Sequence, residues 1–415
     1  MCSRTITILL CALLVLLTAG CNGARETDEI AYVITMGVDT APDNQLAITY
    51  RVPNPQAVAG SESAGASKKK PSQIIAITAP SLAEGRNLLN SSVSRAPNLS
   101  HITIFVIGEE LARKGLQGFI GSLMRFREFR GSMFIMVAQG SARELIEKND
   151  PEIEVLASHW VESILSTNDE TSYYLKTNIH QFYKQLKGDS GAPYAVAMGF
   201  NPPSGPLQAE RGPVTGDKSK EYIPGEMPRQ GGNPVSAIGT AVFKEDKLAG
   251  FLTDKQTRAL AILMNKFPKG FVTLEDPLMP EKQLEVNMRL GSSPHINVDT
   301  SGEIPVINIA VFLEGEITSI PTGINYESEE YKTLLENQIS NVIHEQISET
   351  VHITQLWGTD VVNFGYYIRP HFPTIQQLEA YNWDSKYPQA TVNITVQTEI
   401  RRTGLMRKTI SIRRE

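Results

Sequence analysis

All three cysteines of this chain, Cys2, Cys11 and Cys21, fall within its first 21 residues. No pair of residues beyond that point can be joined by a disulfide, so the body must fold on apolar burial and hydrogen bonding alone. Thiolate metal sites in the body are excluded for the same reason. The stretch that holds the cysteines differs from everything after it. Arg4 supplies a positive start, Thr5–Leu17 is apolar and uncharged, and Thr18-Ala19-Gly20 is a run of small residues. This is the pattern of a secretory leader. The apolar run is shorter than the roughly 20 residues a membrane span needs, and it runs directly into the polar segment Asn22–Glu29.

The residue at the expected cut is a cysteine. Ala19-Gly20-Cys21 resembles a bacterial lipobox, in which the cysteine sulfur receives a diacylglycerol and becomes the new N-terminus, with an N-acyl chain as a further addition. Thr18 stands where a leucine is usual, and Leu17 lies one position further back. An ordinary leader cut before a cysteine, or an uncleaved anchor, would share the apolar run. Loss of residues 1–20 would remove Cys2 and Cys11 and leave Cys21 as the only thiol, which favours the lipid-attachment reading. No other stretch approaches a spanning length, so the body is expected to be tethered rather than embedded.

The part after Cys21 holds about 395 residues, more than one hydrophobic core usually serves, and two or three domains are expected. With 41% hydrophobic and 20% charged residues, most of it should fold. A net charge of −6 argues against sequence-independent nucleic-acid binding, which needs clustered Lys and Arg.

Periodicity organises the chain. Ile30–Val38 and Gln45–Val52 read as a hairpin across Ala41–Asn44. Residues 53–72 lose hydrophobicity and carry Lys68-Lys69-Lys70; a solvated tip is the plain reading, and contact with anionic lipid headgroups the sharper one. Strands are expected at Gln73–Thr78, His101–Gly108 and Met133–Ala138. Ser81-x-x-Glu84 and Ser141-x-x-Glu144 are capping-box patterns that open helices, residues 109–127 read as one helix, and residues 158–186 as a longer helical region. Residues 201–234 contain seven prolines and six glycines and read as an inter-domain linker or a long exposed loop. The pattern restarts at Val235 with strands at Ala237–Phe243 and Leu248–Leu252, and Thr253-x-x-Gln256 caps a helix. Leu284–Leu290, Ile307–Leu313 and Val392–Ile400 alternate as half-buried strands, and Glu329–Val351 carries a helical apolar stripe. The simplest architecture is α+β: mostly antiparallel sheets with helices packed on one side, and a frayed basic tail. The expected division is a leader at 1–20, an N-terminal domain at 21–200, a linker or loop at 201–234, a C-terminal region at 235–405 that can divide further, and a tail at 406–415.

Motifs for chemistry are few. Gly188-Asp189-Ser190-Gly191-Ala192-Pro193 resembles the active-serine segment of trypsin-like proteases, but no matching histidine segment precedes it. It follows a polar helix end, where these residues make a turn. His344 and His352 are eight apart and cannot share a helix-borne metal in the HExxH manner. His101 opens an apolar strand. There is no P-loop, and nothing pairs two carboxylates as acid and base. No catalytic, cofactor-binding or metal residue is singled out; the one site residue is Cys21.

Five stretches, in order, resemble the Ger(x)C family of spore-germination lipoproteins. They are Arg25-Glu26 with Ile30–Asp39 (IAYVITMGVD), His101–Ala112 (HITIFVIGEELA), Met124–Arg130 with the strand after it, Ala237–Leu252 (AIGTAVFKEDKLAGFL), and Asp360–Pro388 through Asp360, Phe364, Gly365, Trp383 and Pro388, continued by Arg401–Gly404. Asn22, Met36 and Tyr387 depart from the family pattern, which has tryptophan, glycine and phenylalanine there. The resemblance implies an α+β fold in three domains and no enzymatic activity. It also implies the role of C subunit in a nutrient germinant receptor, lipid-anchored on the outer face of the spore inner membrane beside integral-membrane A and B subunits. Phe364, Gly365 and Trp383 are read as core in preference to partner contacts. The competing reading is an extracytoplasmic solute-binding lipoprotein of a transporter, which would need a ligand cleft between α/β lobes.

Overall fold

The computed structural model describes residues 29–54, 71–151, 157–167, 170–188, 191–203 and 221–404, with positions 4 and 409. Cys21, Arg25-Glu26, Lys68-Lys69-Lys70, Asp189-Ser190 and the tail 410–415 lie outside the described residues.

The chain opens with β1 (Ile30–Tyr32), β2 (Thr35–Thr40), β3 (Leu46–Pro53), β4 (Ser72–Ala79) and helix α1 (Leu82–Ser92). Next come β5 (Ala96–Asn98), β6 (Ile104–Gly108), α2 (Glu109–Lys114), α3 (Ile120–Arg125), β7 (Phe134–Ala138) and α4 (Ala142–Lys148). Then follow α5 (Ala157–Thr167), α6 (Ile179–Lys187), β8 (Tyr194–Phe200), β9 (Val235–Lys244) and β10 (Lys247–Leu252). Eight of these strands form one sheet in the order β10-β9-β8-β7-β6-β2-β3-β4, while β1 and β5 form a separate parallel pair. The expected strand Ile30–Val38 is therefore two strands, divided at Val33-Ile34 because each half pairs with a different neighbour.

Two other expectations change. Residues 109–127 form two short helices instead of one. The break is at Gly115, whose φ of +124° no L side chain tolerates easily, and the next two amides are taken by Asp246. Residues 158–186 also divide, because Asn178 caps α6 in a full capping box with Gln181 and so begins a new helix. The pattern Ser81-x-x-Glu84 does open α1, and Ser141-x-x-Glu144 opens α4, each serine oxygen accepting the glutamate amide.

The middle of the large sheet, β2-β6-β7-β8, is parallel, and apolar clusters cover both faces. One joins the sheet to α1, α2, α3 and α6 through residues such as Leu89, Leu111, Leu123 and Phe182. The other joins it to α4 and α5 through Leu145, Ile146, Val161 and Leu165. Helices on one side only was thus the wrong expectation for this sheet. The central strands β6, β7 and β8 are nearly continuous apolar runs, as strands covered on both faces are.

β8 and β9 pair antiparallel, so the large sheet continues across residues 201–234 and ends at Leu252. After the large sheet the chain continues with α7 (Asp254–Leu263). It continues with β11 (Gly270–Glu275), β12 (Gln283–Leu290), β13 (His295–Asp299), β14 (Val306–Ser319), α8 (Glu329–Trp357), α9 (Ile375–Tyr381), α10 (Trp383–Lys386) and β15 (Thr391–Arg402). β14 pairs antiparallel with β12 and β13 on one side and parallel with β15 on the other. The helical stripe of α8 buries Leu335, Ile339, Ile343, Ile347 and Val351 against this sheet. The chain is α+β, and antiparallel pairings outnumber parallel ones seven to five among the described residues.

Candidate functional site

The described chain begins at a corner of the large sheet. Ile30, Ala31 and Tyr32 share a cavity of about 1200 Å³ with Pro53, Asn54, Ser72 and Ile74. The first described strand and the described residues that flank 55–70 therefore meet at one place.

The first two sequence blocks meet at Asp39. Its carboxylate sits at the head of α4 and accepts the Ala142 amide at 2.8 Å, the Arg143 amide at 2.9 Å and the Ser141 hydroxyl at 3.1 Å. A carboxylate at the start of a helix satisfies otherwise unpaired amides and complements the helix dipole. Gly108 ends β6 directly against it: a Cβ there would lie 1.9 Å from Asp39 Oδ1. The next residue, Glu109, holds the turn before α4, its amide donating to Gly140 O at 2.8 Å and its Oε2 accepting the Gly140 amide at 3.2 Å. Gly37 lets α4 lie on the sheet, since a Cβ would come within 2.6 Å of Ile146 Cδ1.

The third place is the junction of the large sheet with the C-terminal half. Asp246, in the β9–β10 turn, accepts the Leu116 amide on its backbone oxygen at 3.0 Å and the Gln117 amide on Oδ2 at 2.8 Å. Gly250 in β10 lies under the indole of Trp357 at the end of α8. Ala192 and Pro193 bond across the same junction: Pro193 O accepts the Phe243 amide at 2.9 Å, and the Ala192 amide donates to Asp360 O at 2.8 Å. Of the serine-protease-like stretch, then, Ala192 and Pro193 make inter-element backbone bonds. A half-open cavity of about 600 Å³ lies here, with Lys187, Lys244, Asp246, Asp384, Gln185 and Tyr183 among its lining.

The last block closes on Asp360. Its buried carboxylate accepts the amides of Phe364 at 2.9 Å and Gly365 at 2.8 Å, and the indole N–H of Trp383 at 2.8 Å. Burial pushes this carboxyl above the ordinary range, and these three donors pull it back. Phe364, Trp383 and Tyr387 are all buried, and the Tyr387 hydroxyl pairs with Thr354 Oγ1 of α8 at 2.7 Å. The structure thus places Phe364, Gly365 and Trp383 in the core. Asp39 and Asp360 stood in the sequence only as letters of the family-like blocks, with no role assigned to them. Their signal was an aspartate just before or after glycines that lack room for a Cβ or offer a free amide.

The histidines stay apart. His344 and His352 are exposed on α8, and His101 stacks edge-on against Tyr32 at 4.5 Å. Among the described residues no group of three His, Cys, Asp or Glu side chains could hold a metal, and no helix is long and apolar enough to cross a membrane.

Comparison with known proteins matches these blocks to two family models. "Spore germination protein N-terminal domain" covers residues 23–199, and "Spore germination B3/GerAC like, C-terminal" covers residues 238–404. Among curated relatives, spore germination protein KC of Bacillus subtilis (strain 168) is 25% identical over 98% of this chain and 97% of its own length. Spore germination protein B3 of the same organism is 21% identical over 95% of this chain and 97% of its own. The crystal structure of the GerBC protein superposes with a TM-score of 0.51 at 19% identity, covering 88% of this chain and 96% of that one. It shares the fold.

Proposed function

Because the chain belongs to the Ger(x)C family of spore-germination proteins, we propose that it is the lipid-anchored C subunit of a nutrient germinant receptor. It would act without catalysis, by assembling with integral-membrane A and B subunits on the outer face of the spore inner membrane. The observation that carries this reading is the pair of family matches, which together run from residue 23 to residue 404. The non-catalytic reading is supported by Asp39 and Asp360, two acids of the family blocks whose oxygens are occupied by backbone amides and an indole.

Cys21 is the proposed attachment point. One acyl chain holds a protein only marginally, whereas two, at about 0.8 kcal/mol per buried methylene, make the anchor durable. Confinement at the membrane raises the effective concentration of partners, so modest interfaces suffice. Lys68-Lys69-Lys70 adds a proposed contact with anionic headgroups, each basic side chain contributing on the order of 1 kcal/mol near such a surface.

The test is fractionation of spores that carry Cys21→Ala. Release of the protein from the membrane, with loss of nutrient-triggered germination, is the expected result. Full retention would sink the anchor, and co-purification of the wild-type protein without any polytopic protein would sink the receptor role.

One observation favours the second reading, a solute-binding lipoprotein. Gln185 Oε1 is buried without a hydrogen-bond partner beside the junction cavity, which also carries Lys187, Lys244 and Asp384. Isothermal titration with amino acids and sugars decides between the two.

A further inference from the structure

Five strand edges bound the two larger sheets among the described residues, and four carry protection against pairing with another chain. β10 has a register shift between Leu248 and Gly250 and lies beneath Trp357. β15 is closed near both ends by α8, Glu336 accepting the Ile400 amide at 2.8 Å and Gln355 donating to Ala390 O at 2.9 Å. β11 and β13 are short and end in Glu275 and Asp299. Short strands, charges, bulges and covering elements are the usual ways an edge is blocked.

Among the described residues β4 has none of these. Its eight residues, SQIIAITA, contain no charge and no proline. They pair with β3 without a bulge from Leu46–Ala79 to Pro53–Ser72, and with no other described strand. Gln73, Ala76 and Thr78 are exposed, and Ile74, Ile75 and Ile77 are only half-buried. The edge is about 27 Å long, flat in register and rich in β-branched residues, which is what a strand from another chain needs in order to add itself.

The position of this edge selects its occupant. Ser72, Gln73 and Ile74 of β4 line the same cavity as Ile30 and Tyr32, where the described chain begins. Cys21 precedes Glu29 by eight residues, which extend to at most about 28 Å. A lipid on Cys21 would hold this corner of the sheet within that distance of the membrane surface. We propose that β4 is the docking edge for an extended segment of an integral-membrane partner, which adds to the large sheet as a ninth strand. This rests on the receptor reading above and names the surface that the partner uses.

The experiment uses the full-length protein in spores. Ala76→Lys with Thr78→Lys places two charges on exposed positions of the edge, where partner desolvation should lower recovery of the polytopic protein about tenfold, equivalent to about 1.4 kcal/mol. The variant should stay membrane-bound and keep the wild-type thermal midpoint. Undiminished recovery with a stably folded variant overturns the proposal and leaves the receptor role intact; no polytopic partner with the wild-type protein overturns both. A second measurement does not depend on the charges. A photo-crosslinking amino acid at position 78 should yield an adduct with a polytopic protein, and one at exposed position 375 should not. An adduct between two copies of this chain, or one within the chain to the segment before Glu29, overturns the proposal in favour of that occupant.

Discussion

The indole of Trp357 covers Gly250 so closely that a methyl group on the glycine would lie 2.4 Å from Cζ2 and 2.8 Å from Cη2. Gly250 belongs to the last strand of the large sheet and Trp357 to the last turn of the long helix. The contact is therefore a point at which the two halves of the molecule register against each other. Any side chain at position 250 must push the indole away. Gly250→Val is expected to cost about 1–3 kcal/mol, the usual range for overpacking. It should also shift tryptophan fluorescence toward that of an exposed indole and speed proteolysis in the junction. Unchanged fluorescence and cleavage would show that the indole has another place to rest.

Asp360 accepts hydrogen bonds from three buried donors, the amides of Phe364 and Gly365 and the indole of Trp383. Asp360→Asn keeps the size but loses the charge, and its amide group faces a donor with a donor. Leaving a buried N–H unpaired costs about 1–3 kcal/mol, and bonds to a charged acceptor contribute more than neutral ones. A loss of about 2–4 kcal/mol in chemical denaturation is expected, and Trp383→Phe, which removes one donor, should cost less.

Gly108 leaves room for Asp39 at the head of α4. Gly108→Ala is expected to dislodge the carboxylate, and Asp39→Ala to remove it, each costing about 1–2 kcal/mol as lost helix caps do. Because both act through one contact, the double variant should be little worse than the more harmful single one. Additive losses in a double-mutant cycle would refute the shared mechanism.

Acid should act at Glu314. A hydrogen bond from Arg289 holds this carboxyl below its ordinary range, with the charges of Arg289 and Arg401 adding to the effect. The folded state thus binds this proton less readily than the unfolded chain. The stabilisation is present above the ordinary value of 4.5 and is lost as pH falls through the lower folded value. Glu314→Gln should flatten the fall in stability below that pH. The difference should shrink at high salt, because the three side chains are partly solvated. Identical acid-unfolding curves for the two proteins would rule this out.

Local order was largely legible in the sequence. Ser81, Ser141 and Thr253 open helices as their capping patterns foretold, and the alternation of Leu284–Leu290 and Ile307–Leu313 is the inward face of real strands. These signals act over three or four residues. The breaks at Gly115 and Asn178 were missed for opposite reasons. Gly115 yields to Asp246, more than a hundred positions away, while the box Asn178-x-x-Gln181 was readable but lay inside an apolar pattern. The parallel order of β2, β6, β7 and β8 left no mark beyond their apolar density. Of the site, the glycines and aspartates were visible as motif letters. Their purpose was not, because it lies in space they leave empty and amides they accept.

The pairing of β9 with β8 has a consequence for inheritance. The sequence block beginning at Ala237 is matched with the C-terminal family segment, yet its hairpin completes the sheet of the N-terminal one. A chain cut between the two segments would strip β8 of one of its two neighbours and leave β9 and β10 with no sheet to join. The halves cannot be exchanged piecemeal between relatives unless the donor hairpin fits the recipient's sheet. Such a protein is expected to change by gradual substitution of a co-inherited whole, and chimaeras joined after Leu252 should fold where those joined within residues 204–220 fail.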